Sequence, residues 1–150
     1  MKNWSKYLSL ILFSTIILGT TGCEEEKKNK DALLTAHLWK FDKMETNSTN
    51  QDILDATAFA NAFLYSAGLE WTFDTDGNHT LTATNLDPPE SEEGTWELSS
   101  DGKTLFIDKG TDDEVEFTIR TLTSDKFVTE EESWDDDLDV YYKVSNHWKK

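Results

Sequence analysis

The chain has 150 residues, 30 acidic against 14 basic, and a formal net charge of −16. A charge of that sign repels nucleic acid and the phosphates of anionic lipid, and no basic patch offsets it. A single cysteine excludes an internal disulfide, and an aromatic content of 12%, with 6 Trp and 8 Phe, excludes a disordered acidic tail.

The first element reads as an address. Lys2 and Lys6 precede the apolar run Tyr7–Leu18 and then Gly19, Thr20, Thr21 and Gly22. A basic start, a short apolar core and small residues before a cleavage point make a secretory signal. The run is well short of the ~20 residues that cross a bilayer. The Gly22-Cys23 junction resembles the processing site of bacterial lipoproteins. That resemblance implies a signal peptide over 1–22 and a lipid anchor to the membrane at Cys23. The all-polar Glu24–Lys30 predicts a flexible tether, so 23–32 is assigned as a lipidated polar tether and 33–150 as one domain. The triplet Glu24-Glu25-Glu26 also resembles a surface-export signal of lipoproteins. It implies an outer-membrane protein on the cell surface, with a periplasm-facing location as the alternative.

The domain reads as short alternating strands separated by turn signals. The first strand is His37–Glu45, with Trp39 and Phe41 on one face. Asp52–Ala67 breaks the alternation and predicts a helix, with Ser48 and Gln51 as a capping box and Gly68 as the stop. Strands follow at Glu70–Asp74 and His79–Thr84, joined by the tight-turn pair Asp76-Gly77. After the Pro88-Pro89 loop come Gly94–Leu98, the Asp101-Gly102 turn and Lys103–Asp108. Glu114–Leu122, Lys126–Glu131 and Leu138–Val144 complete about eight strands, an antiparallel meander. The fold class is all-β.

Leu38-Trp39-Lys40-Phe41, Trp71–Gly77 and Gly94–Leu98 followed by Asp101–Leu105 resemble landmarks of the lipocalin-like domains of bacterial surface lipoproteins. Phe117–Thr123 fits the same pattern. The resemblance implies a small eight-stranded lipocalin-like barrel, with the helix inserted between strands one and two, and no catalytic residues.

Alternation then points Trp39, Phe41, Trp71, Phe73, Leu81, Trp96, Leu98, Phe117 and Tyr142 into the barrel as the ligand-binding set. Two functions stay open. One is non-enzymatic binding of a small apolar ligand in the lumen. The other is an envelope interaction module with a filled core that contacts a partner protein or glycan. Phe106 and Tyr141 alternate outward and predict a partner strip for the second reading.

No metal or cofactor is expected. The acidic clusters Asp135-Asp136-Asp137 and Asp112-Asp113-Glu114 read as solvated turns, because neighbouring side chains diverge and cannot surround a Ca²⁺ ion. His37, His79 and His147 are scattered, and no nucleophile or phosphate motif is present, so the chain is not expected to be an enzyme.

Overall fold

Hydrophobic alternation closes the chain on itself. The computed structural model describes residues 25–150. The predicted signal peptide and Cys23 lie outside them. Helix α1 occupies residues 25–35. The strands are β1 (Trp39–Thr46), β2 (Leu69–Phe73), β3 (Asn78–Ala83), β4 (Glu90–Leu98), β5 (Thr104–Ile107), β6 (Val115–Leu122), β7 (Lys126–Asp135) and β8 (Val140–Lys149). Helix α2 (Gln51–Ala67) lies between β1 and β2. The sheet is a closed antiparallel barrel in the order β1 to β8, the expected meander with its inserted helix.

The ladder is uneven. β7 and β8 pair over their whole lengths, whereas β1 and β2 pair only at Trp39↔Trp71 and Lys40↔Glu70. Beyond that point the two strands part, and α2 covers the seam. Asn61 Oδ1 accepts the Met44 N–H at 2.7 Å, so an amide left without a strand partner is satisfied by the helix. Ile53 and Ala67 anchor the buried side of α2, and Leu64 packs against the barrel core.

The ends of α2 are fixed locally. Asn50, not the predicted Ser48, is the N-cap, and its side chain accepts the Asp52 N–H at 2.8 Å. Ser48 Oγ instead accepts the Asn50 N–H, which positions the cap. Gly68 ends the helix at φ 64°, a left-handed conformation that favours glycine.

Residues 25–35 depart from the tether expectation. They are helical because their last turn has a place to dock. Leu34 is fully buried in the barrel core, and its carbonyl accepts the Trp39 indole N–H at 3.1 Å. Lys30 pairs with Glu26 at 3.0 Å and donates to the Gly102 carbonyl at 3.0 Å. Gly102 sits at φ 65° in the β4–β5 turn, and a side chain there would meet Lys30 Cδ at 3.1 Å. The helix therefore lies against the barrel end formed by the β2–β3, β4–β5 and β6–β7 turns, called the closed end below.

The last strand also runs past its predicted stop at Val144, on to Lys149. The extension places Trp148 opposite Phe41 on one side and Phe127 on the other. All three are in the core.

Candidate ligand-binding lumen

The closed end is filled by rings. Trp71 lies at the centre, with ring centroids 4.7 Å from Phe73, 5.1 Å from Trp148, 6.0 Å from Phe117 and 6.2 Å from Phe127. Phe127 also meets Trp39 at 5.5 Å. These spacings are those of aromatic pairs in contact. The nominated residues Trp39, Phe41, Trp71, Phe73 and Leu98 are all buried in this cluster. Phe127, Trp148 and Leu34 belong to it as well, though none of the three is in the nominated set.

The other four nominated residues behave differently. Leu81, Trp96 and Phe117 are partly buried and pack against the cluster, and Tyr142 is partly buried too. Trp96 remains near the closed end, where its indole N–H donates to the Asp74 carbonyl at 3.0 Å. Leu81 stands directly opposite Trp71 across the β2–β3 ladder. Phe117 faces Leu105 and meets Trp71 from the other side. Tyr142 shares the inward face with Val144 and Trp148. The structure thus gathers Leu81 and Phe117 on the Trp71 floor, places Tyr142 higher, and leaves Trp96 to one side.

Polar groups line the same face above the floor. The register sets Phe127, Thr129 and Glu131 inward on β7, opposite Trp148, Asn146 and Val144 on β8. Burial pushes the Glu131 carboxyl above its usual range, opposed by a side-chain hydrogen bond from Asn146. Thr129 is fully buried and its hydroxyl has no hydrogen-bond partner. On β4, Glu92 stands opposite the inward Leu81 and Glu90 opposite Ala83, so both are on the lumen side at the rim.

His79, which the sequence marked only as a scattered histidine, is 5% exposed beside the floor. The Trp71 indole N–H donates to its Nδ1 at 3.1 Å, so the neutral ring carries its proton on Nε2. Gly94 opposite leaves room there: a methyl group at Gly94 would lie 2.7 Å from His79 Nε2 and 2.6 Å from an Asp108 carboxylate oxygen. Asp108 is held by the Thr95 N–H at 2.7 Å. Burial lowers the His79 pKa, and Asp108 and Glu92 partly oppose it. No motif in the sequence marks this group, since its members meet only through strand register.

The outer face carries the basic residues. Lys143 reaches Glu130 at 3.1 Å, Lys149 reaches Asp42 at 2.7 Å, and Arg120 pairs with Glu130. A groove of about 350 Å³ is lined by Thr104, Glu116, Thr118, Glu130, Glu131, Glu132 and Lys143. The predicted Phe106–Tyr141 strip does not form. The Lys109 ammonium covers the Phe106 ring at 4.5 Å, whereas Tyr141 stacks on Trp134 at 4.3 Å at the tip of the β7–β8 hairpin. Among the described residues no cluster of three or more His, Cys, Asp or Glu is arranged to hold a metal ion.

No protein-family model matches the chain, and no curated protein matches it. Among solved structures, the chain is similar to bovine odorant binding protein, in a complex with a selenium-containing odorant. The match has 12% identity and a TM-score of 0.44, and covers 80% of this chain and 71% of that one.

Proposed function

We propose that this chain is a non-enzymatic binding protein of the bacterial envelope that takes a small apolar ligand in the open half of its barrel. The observation that carries the reading is the split in the inward-facing set. Trp71 and its neighbours are sealed, while Leu81, Phe117 and Tyr142 face the lumen and keep some solvent exposure. An inward residue that still meets solvent borders an opening, and an apolar border favours an apolar occupant. Cys23 is the proposed lipid anchor, holding the domain at the outer membrane on the cell-surface side, or facing the periplasm in the alternative.

The neutral fluorophore N-phenyl-1-naphthylamine tests the ligand reading. It should bind saturably, and Leu81→Trp should abolish binding while the circular-dichroism spectrum stays that of the parent. Absence of saturable binding, or binding untouched by Leu81→Trp, would overturn it. The filled closed end favours the second function, an interaction module contacting an envelope protein or glycan, and cross-linking on intact cells is the measurement for that one. For the anchor, Cys23→Ser should give an unprocessed precursor or a soluble protein. Detergent partitioning identical to the parent would remove the anchor from the account.

A further inference from the structure

We propose that the outer face of α2 is a self-association surface, on which a second copy of this chain docks through its own α2, turned end for end. The inference concerns the outside of the barrel and is independent of what the lumen holds.

The helix is apolar on both of its sides. Ile53, Thr57, Ala60, Leu64 and Ala67 recur at spacings of three and four and make up the side turned to the barrel. The opposite side of such a helix is ordinarily charged, and here it is not. From Ala56 to Ala67 there is no charged residue, in a chain where 29% are charged. Phe59 is 76% exposed, Tyr65 62%, Phe63 54% and Leu54 37%. The other exposed large apolar side chains among the described residues lie apart from one another: Leu38 precedes β1, Val115 opens β6, and Trp134 stacks on Tyr141.

The spacing of these groups fits a two-fold axis. At about 100° per residue, Ala58 and Ala62 lie one turn apart on the line farthest from the barrel. Phe59 and Phe63 flank that line on one side, Leu54 and Tyr65 on the other. An axis at the level of Ala60 turns one copy end for end onto the other. Ala58 then faces Ala62, which lets the two backbones approach, Phe59 lies along Phe63, and Leu54 lies along Tyr65. One axis serves all three pairs.

Charge and area name the occupant. Two copies of a chain with net charge −16 repel, and least where charge is absent, which is this face. The ionised groups of α2 are Asp52 and Asp55 at its start. A parallel pair would bring these four carboxylates together, whereas the end-for-end pair keeps them at opposite ends. There they approach Lys149, which lies within electrostatic reach of Tyr65 and holds Asp42 at 2.7 Å. A bilayer fits less well, because a helix lying in a membrane surface carries Lys or Arg on its polar flank and α2 has neither. At their exposures the four large side chains and two alanines leave roughly 500 Å² of apolar surface in water. Two copies would cover about 1,000 Å², the lower limit for a specific interface, which sets a weak pair with a Kd of about 10 µM.

The test is oxidative cross-linking of the purified full-length chain at about 20 µM, with the wild type, whose one cysteine is Cys23, as background. An Ala58→Cys copy mixed with an Ala62→Cys copy should form the mixed disulfide about tenfold faster than Asp112→Cys, exposed between β5 and β6, pairs with itself. Adding Phe59→Glu and Phe63→Glu to both copies should bring the rate down to the Asp112→Cys level, with the circular-dichroism spectrum of the parent, since neither ring is in the core. Sedimentation equilibrium should give a monomer–dimer Kd near the value above for the wild type and a monomer for the double Glu variant. If the mixed pair cross-links no faster than Asp112→Cys, a membrane or another protein covers α2 and the inference fails. It fails equally if Ala58→Cys pairs with itself faster than with Ala62→Cys, or if the Glu substitutions leave the rate unchanged.

Discussion

The two ends of this barrel follow the same alternation and reach opposite results. At the closed end the inward positions are Trp, Phe and Leu, and their rings touch, so the interior is protein. At the open end the inward positions include Glu131, Asn146, Glu92 and Glu90, polar groups that cannot fill an interior as rings do without cost. One end supplies stability and the other gives some of it up. In a barrel of eight strands, which is only wide enough to be filled or to hold one small ligand, the two outcomes can coexist one above the other.

The sharpest way to break that contrast is to truncate one large side chain at each end. Trp71→Ala removes the ring that touches Phe73, Phe117, Phe127 and Trp148. It should cost about 3–5 kcal/mol in urea denaturation. Tyr142→Ala at the open end should cost less than about 2 kcal/mol, because its ring keeps solvent contact. Equal losses would mean that the open end is packed as tightly as the closed one.

The next test concerns what closes the closed end. Leu34→Ala should cost about 2–5 kcal/mol, the usual range for a buried leucine. A loss below about 1 kcal/mol would return α1 to the status of a tether. This element was hidden in the sequence for a physical reason. Residues 24–30 are polar throughout, and composition alone makes such a stretch a solvated linker. Its helix is decided by Leu34 docking in the core and by Lys30 reaching Gly102, contacts at long sequence separation.

The same reason separates what was legible from what was not. Strong alternation, Asp-Gly turns and the helical spacing of Ile53, Ala56, Ala60, Phe63 and Ala67 made the barrel and α2 readable, and they assigned Trp39, Phe41, Trp71, Phe73 and Leu98 to the interior. The continuation of β8 to Trp148 was lost because Ser145, Asn146 and His147 look like the end of a strand. Asn146 is in fact inward, beside Glu131. The polar side of the lumen was illegible for a related reason. Glu131 is one acid among 30, and only the register against β8 places it in the lumen.

Acid should erode the floor through His79. Its pKa is lowered in the folded protein, so the unfolded chain takes up the proton first as pH falls. The stability tied to the neutral ring is complete above the unfolded value of about 6.5 and is lost as pH drops toward the lower folded value. Protonation of Nδ1 would also expel the Trp71 N–H that it now accepts. The urea midpoint should therefore fall between pH 7 and pH 5, and His79→Asn, which keeps an acceptor near Nδ1, should flatten that slope. An identical slope in the variant would remove His79 from the account of the floor.

The smallest expected effect has the opposite sign. The Glu131 pKa is raised by burial, so its neutral form is the one folding favours. That preference helps stability below the ordinary carboxylate value of about 4.3 and is lost as pH rises through the higher folded value. At pH 7 the ionised group is a cost, and Glu131→Gln should raise the melting temperature slightly, with the gain vanishing near pH 4. Equal melting temperatures for Glu131→Gln and the wild-type protein at pH 7 would mean that the buried carboxyl carries no such cost, and the polar positions of the open end would then be as well accommodated as the rings of the closed one.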